Sequence, residues 1–269
     1  SVPSSLPHAP FDGTAIVSSN EAIAFDAVPE RLLVVGAGAV GLELGLVWSR
    51  FGSKVTVVEL MPHVLPGGDE ELSVELAKAL AQQGIRILTE TTLAAAAAGP
   101  GGVAVTLKPS SGNPIEETFG KVLVAVGRRA FLQDAGLDKA GIVVEKGRIP
   151  VDPWGRTNVP GIFAIGDVTP GPQLAHRASA QGIAAVETAA GHNVAPVNAL
   201  AVPACTYTEP EAASVGLTEK EARNRGIDIT VARFPFAASG KAMIERAQTG
   251  WVKLIADRRS NALLVVATE

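Results

Sequence analysis

Leu32-Leu-Val-Val-Gly36-Ala-Gly38-Ala-Val-Gly41-Leu-Glu-Leu-Gly-Leu-Val-Trp-Ser-Arg-Phe-Gly52-Ser-Lys-Val55-Thr-Val-Val-Glu59 reads as a strand, a glycine turn, a helix and a second strand. Leu32 to Val35 is a continuous apolar run, as a parallel strand covered on both faces requires. Gly36, Gly38 and Gly41 fall in the spacing G-x-G-x-x-G. The first glycine permits a tight turn, the second lets backbone approach a pyrophosphate, and the third lets helix and strand pack closely. Val40, Leu44, Val47 and Phe51 then trace a helical stripe that Gly52 ends, which aims a helix N-terminus at the turn, ready for an anion. Glu59 closes the second strand 23 residues after Gly36, close to the ~20 expected of an acid that binds a ribose 2′-OH. A carboxylate there repels a 2′-phosphate, so NAD is favoured over NADP. An ordinary βαβ crossover with no nucleotide is the alternative, and the complete strand-turn-helix-strand-acid context weighs against it.

The chain has 269 residues, more than one average domain. With 47% hydrophobic but only 4% aromatic residues, its core must be built from Val, Leu, Ile and Ala, which suits an α/β protein. A net charge of −4 and the lack of a Lys/Arg cluster argue against a nucleic-acid partner. No apolar run reaches the ~18 residues of a membrane span and no signal peptide opens the chain, so a cytoplasmic location with no membrane partner is expected. Cys205 is the single cysteine and allows no internal disulfide. It lies among strand-like residues with no neighbouring His or Cys, which reads as a structural thiol; no metal is expected.

Residues 1–28 read as a linker or tail, with a short helix at Asn20 and Pro29 marking entry into the first strand. Asp69 caps a helix carrying Leu72, Leu76 and Leu80, and Gly84 stops it. The run Ala94 to Ala98 is too short for a stable helix and reads as a hairpin returning through Val103 to Leu107. Val122 to Val126 is a further buried strand, with Gly127-Arg128-Arg129 in a turn at the carboxyl edge of the sheet. Ile162 to Ile165 reads as a short strand delivering Gly166-Asp167 into a loop, and Leu174 to Ala190 as a helix of small residues packed against a sheet. Beyond Pro203, Thr218-Glu-Lys-Glu221 forms a capping box, and Thr230 to Phe234 and Trp251 to Ala256 read as strands.

The order of these segments resembles the pyridine nucleotide-disulfide oxidoreductases, and within that family the dihydrolipoyl dehydrogenases. The matching pieces are Val35 to Gly45, Ala125-Val-Gly-Arg-Arg129, Gly147-Arg-Ile-Pro-Val151, Ile162-Phe-Ala-Ile-Gly-Asp167, Leu174-Ala-His176, Pro203 to Glu211 and Phe234 to Ala242. The resemblance implies an α/β chain with a Rossmann-like NAD-binding domain (29–146), the second part of an FAD-binding domain (147–200) and the start of an α+β dimerisation domain (201–269). It implies NAD contacts from Gly36, Ala37, Gly38, Ala39, Val40, Gly41, Leu42, Glu59, Leu93 and Gly127. Glu43 matches a glutamate near nicotinamide and flavin. Asp167 would hydrogen-bond the FAD ribityl chain, and Gln173, Leu174, Ala175 and His176 would meet the flavin ring at a helix N-terminus. The complete enzyme would pass electrons from dihydrolipoamide, carried by the lipoyl domain of a 2-oxoacid dehydrogenase or glycine cleavage complex, through a disulfide and FAD to NAD⁺, as a homodimer.

Four departures accompany the resemblance. An FAD-binding unit with a Cys-x-x-x-x-Cys pair is expected upstream of residue 1, and a histidine-glutamate base downstream of Glu269. Between Leu264 and Ala267, Val265-Val266 stand where the family runs through Gly-x-His-x-x-Gly-Pro, and Ala130 replaces a customary proline. No residue of this chain is assigned a catalytic role. Residues 1–269 alone are therefore expected to bind NADH without turning over dihydrolipoamide. A related disulfide or mercuric-ion reductase, and a non-catalytic NAD(H)-binding dimerisation module, are the other readings.

Overall fold

A computed structural model describes residues 1–260 and 262–268 of the chain. In chain order the strands and helices are β1 (Val2–Pro3), β2 (Ile16–Val17), α1 (Ser19–Ala22), β3 (Arg31–Val35), α2 (Ala39–Arg50), β4 (Lys54–Val58), α3 (Glu70–Gln82), β5 (Arg86–Leu88), β6 (Thr91–Gly99), β7 (Gly102–Pro109), β8 (Ile115–Phe119), β9 (Lys121–Val124) and β10 (Arg128–Arg129). There follow α4 (Ala175–Ala189), β11 (Ala204–Thr206), β12 (Ala212–Gly216), α5 (Glu219–Asn224), β13 (Ile229–Pro235), α6 (Gly240–Glu245), β14 (Trp251–Asp257) and β15 (Leu263–Thr268). The chain divides into two compact units, Ser1–Pro3 with Arg128–Val202 and Ser4–Gly127 with Pro203–Glu269.

In the larger unit a parallel sheet runs in the order β2-β9-β3-β4-β5. Alternate residues of β3 point to opposite faces, so Leu32 and Val34 join one core with Leu42, Leu46, Leu72, Leu76 and Leu80. Leu33 and Val35 join another with Leu93, Val103, Leu107 and Phe119. The second core lies under the antiparallel sheet β6-β7-β8, where the alanine run pairs from Ala95↔Thr106 to Ala98↔Val103, as the hairpin reading expects. Asp69 is the N-cap of α3 and accepts from Glu71 N at 3.1 Å, and Gly84 follows the helix at φ +90°. A second, antiparallel sheet of order β11-β12-β15-β14-β13 follows, with Thr218 and Glu221 closing the capping box of α5.

The stripe expected to bury α2 is corrected. Val40, Val47 and Phe51 are exposed, whereas Gly41, Leu42, Gly45, Leu46 and Trp48 are buried. The helix is apolar on most sides, and its closest approach to the sheet is at Gly41, where a Cβ would stand 2.0 Å from Gly36 O; one on Gly45 would make ordinary contact with Val34 and Val55 at 3.5 Å.

Two further expectations are corrected in the smaller unit. Arg128-Arg129 is a short strand, β10, pairing antiparallel with β1 through Val2↔Arg129 and Pro3↔Arg128. Ile162 to Ile165 forms no strand: its only ladder contact is the isolated bridge Arg156↔Phe163, because its backbone bonds close a local turn through Thr157 N to Ile162 O and Ala164 N to Gly155 O. Helix α4 accordingly packs on this turn segment, where a Cβ on Gly166 would meet Ala178 Cβ at 3.0 Å and one on Gly182 would meet Ile165 Cδ1 at 3.3 Å.

Candidate functional site

From β3 the chain continues to β4 and β5 on one side, while β9 and β2 lie on the other, so the order reverses between β3 and β9. Ligands of doubly wound sheets bind in the crevice at the carboxyl ends of such strands. A cleft of about 650 Å³ opens there. Gly36, Gly38, Ala39, Val40, Glu59, Leu93 and Gly127 line it, with Leu6, His8, Leu60, Pro66, Thr91, Thr92 and Val126 beside them.

Each glycine has its own reason. Gly36 turns at φ +102°, and an added Cβ would lie 2.6 Å from Ala125 O. Gly41 allows the close approach of α2 to the turn. Gly38 has nothing within 4 Å of where its Cβ would be, so the bare backbone faces open cleft. It is also the N-cap of α2, with no side-chain cap and no acidic residue in the first turn. No residue of the helix's own first turn offsets its positive end, which is directed at the cleft, the arrangement that receives a pyrophosphate.

Glu59, buried to 7% exposure, directly follows β4 at the cleft wall. Its Oε2 accepts from Ala37 N at 2.7 Å and its Oε1 from Met61 N at 2.9 Å. Each oxygen keeps a second lone-pair direction, which suits the hydroxyls of a ribose and opposes a phosphate. These features fit an NAD-type dinucleotide. Ala37 and Leu42 are buried, the first offering its backbone to Glu59 and the second packing in the core. Glu43 is not among the cleft-lining residues; its Oε1 accepts from Tyr207 N at 2.8 Å. Leu6 and His8 went unread in the sequence, because they come from an irregular segment some 28 residues before the glycine turn, with no periodicity to mark them.

Asp167, Gln173, Leu174, Ala175 and His176 all lie in the smaller unit. Asp167 sits in a 3₁₀ turn, Gly166–Val168, and accepts from Ser1 Oγ at 2.5 Å, while Arg128 Nε donates to the same Ser1 Oγ at 2.8 Å. Leu174 is the N-cap of α4 without a side-chain cap, and Gln173 Nε2 just before it is buried with no hydrogen-bond partner among the described residues. An uncapped helix start beside an orphaned amide donor fits a flavin ring with carbonyl acceptors. Arg177 is buried and holds the preceding loop by donating to Pro172 O at 2.9 Å and Pro170 O at 2.5 Å. Burial and then the neighbouring Arg148 push its pKa down, against the pull of Asp167.

The family profile described as pyridine nucleotide-disulphide oxidoreductase matches residues 3–182, and the dimerisation domain of the same family matches residues 202–267. The chain is 43% identical over 260 residues to a dihydrolipoyl dehydrogenase of Zymomonas mobilis, a match covering 96% of this chain and 56% of the relative. It is 44% identical over 243 residues to a dihydrolipoyl dehydrogenase of Thermus scotoductus, covering 90% of this chain and 52% of the relative. The crystal structure of LpdA from Mycobacterium tuberculosis matches with a TM-score of 0.89 at 29% identity, over 99% of this chain and 57% of that one. The chain spans about half the length of the curated relatives it matches. A glycine turn beneath an uncapped helix, an acid following the next strand, and a sequence match running through both the parallel and the antiparallel sheets place this chain in the pyridine nucleotide-disulphide oxidoreductase family.

Proposed function

We propose that this chain supplies the NAD(H) site, part of the flavin site and part of the dimer-forming sheet of a homodimeric cytoplasmic dihydrolipoyl dehydrogenase. The net reaction takes two electrons and two protons from dihydrolipoamide, closes its dithiol to a disulfide, and yields NADH and one proton. FAD, when bound, carries the electron pair between an active-site disulfide and the nicotinamide. The residues of this chain bind and orient. The backbone at Gly36 to Gly41 and the start of α2 receive the pyrophosphate, Glu59 takes the adenosine ribose, and Leu93 and Gly127 complete the walls. Asp167 and the residues from Gln173 to His176 hold the flavin side.

The observation that carries this reading is the buried Glu59 carboxylate at the wall of a cleft floored by Gly38. The test is a titration of the full-length protein with NADH and NADPH, followed by an assay of NAD⁺ reduction by dihydrolipoamide. Tighter NADH binding with dihydrolipoamide-dependent turnover is expected. Preference for NADPH removes Glu59 from its role, and reduction of another disulfide in place of lipoamide redirects the substrate assignment.

A further inference from the structure

Lys253 stands in the middle of β14 and is only 1% exposed. Its backbone register sets it directly opposite Arg233 of β13, a like-charge pairing that is destabilising by itself. Three carboxylates resolve the conflict. Lys253 Nζ lies 2.8 Å from Asp69 Oδ2, 3.0 Å from Glu219 Oε2 and 3.5 Å from Glu71 Oε1. Arg233 pairs with Glu71 at 2.5 Å and Glu219 at 3.7 Å, and Arg223 with Glu219 at 2.6 Å. The cluster is therefore balanced, with Lys253, Arg223 and Arg233 against Asp69, Glu71 and Glu219. Burial works to lower the Lys253 pKa, but the bonds to Asp69 and Glu219 outweigh it and leave the pKa raised.

Asp69 lines no part of the cleft itself, but it is the member of this cluster that directly follows the loop reaching the cleft wall. Its Oδ1 caps α3 while its Oδ2 holds Lys253. Before it runs the loop 60–68, of which Leu60 and Pro66 line the cleft. Leu65 N in that loop donates to Ala37 O at 2.8 Å, and Ala37 N donates to Glu59 Oε2 at 2.7 Å. Leu65 is held at φ +48°, a conformation that a leucine keeps only where its surroundings over-determine it. Anchorage of the loop at Ala37 and at Asp69 provides that determination.

We infer that Lys253 is a positioning residue of the dinucleotide site: by gripping Asp69 it fixes the loop between Glu59 and α3, so cofactor affinity depends on how the C-terminal sheet docks on the parallel sheet. The inference rests on the cleft being the NAD(H) site. It reaches a residue that touches no ligand and lies 184 positions from Asp69 in sequence.

The test uses the full-length protein and three variants, Lys253→Met, Asp69→Asn and Ile255→Val, read by NADH titration, melting temperature and steady-state kinetics. Asp69→Asn keeps a good helix cap and removes the charge that holds Lys253, so it serves even if Lys253→Met fails to fold. Ile255→Val trims the buried core from the same strand without touching the ions. Both charge variants are expected to weaken NADH binding about tenfold and to raise KM for NAD⁺ with kcat held, while Ile255→Val leaves the affinity unchanged. NADH affinity within twofold of wild type in a folded Lys253→Met or Asp69→Asn protein overturns the inference, as does an equal loss in Ile255→Val. Absence of NADH binding in the wild type would instead overturn the assignment of the cleft itself.

Discussion

The Glu59 carboxylate accepts the backbone N–H of Ala37 at 2.7 Å, so the residue that follows one strand clamps the turn that leaves its neighbour. The acid is thus both a wall of the cleft and a brace for the glycine turn, and its replacement should show both roles.

Glu59→Gln keeps an acceptor for Ala37 N and removes the charge. The other backbone donor, Met61 N, then faces the amide NH2, so the protein should remain folded with a loss of about 1–3 kcal/mol. Its preference for NADH over NADPH should narrow by roughly tenfold or more, because the repulsion of a 2′-phosphate is gone. Parallel titrations with the two cofactors measure the ratio; an unchanged ratio would show that selectivity resides elsewhere.

Gly38 and Gly41 should part company on substitution. Gly38→Val places its side chain in open cleft, so NADH binding falls while the melting temperature holds. Gly41→Val drives a Cβ to 2.0 Å from Gly36 O, and the helix must lift from its strand, an overpacking that costs about 1–3 kcal/mol or more. Thermal melts beside NADH titrations separate the two, and a collapse of the Gly38→Val melt would mark that glycine as structural only.

Acid should loosen the ion cluster. The Glu71 carboxyl is held below the usual range first by its hydrogen bond from Arg233, and Glu219 first by Arg223 and then by Lys253. A depressed folded pKa stabilises above the ordinary glutamate value of about 4.3 and is lost as pH falls through the lower folded value. The melting temperature should therefore drop as pH falls below about 4.3, and Glu219→Gln should flatten that slope. Melts between neutral pH and pH 3 check both, and an unaltered slope in the variant would remove Glu219 from the account.

Cys205 is the only cysteine among the 269 residues, and a lone thiol cannot cycle through an internal disulfide. A polypeptide of these residues alone should bind NADH yet give no dihydrolipoamide-dependent reduction of NAD⁺, with added FAD making no difference. Measurable turnover would place the dithiol chemistry somewhere this account does not.

Much of the architecture is legible in the sequence alone, because its signals are local. The run Leu32 to Glu59, the Asp69 cap, the capping box Thr218 to Glu221 and the stop at Gly84 each need only a few neighbouring residues to act. The same holds for the Ala94 to Ala98 hairpin, since five alanines between Thr91-Thr92 and Gly99-Pro100-Gly101 are too few for a helix to persist.

What the tertiary structure alone decided depends on partners far away in sequence. Helix α2 is apolar nearly all round, so only the sheet beneath it could select the Gly41-Gly45 face over Val40, Val47 and Phe51. Ile162 to Ile165 has strand composition, but a strand needs a neighbour, and its bonds close a turn instead. His8 reaches the cleft wall and Lys253 finds Asp69 only because folding brings distant segments together, and an isolated histidine or lysine carries no periodic signal of where it will lie. Local propensity and spacing determined which elements form and where the dinucleotide turn sits; long-range packing and the need to neutralise buried charge decided which faces close and what holds the site in place.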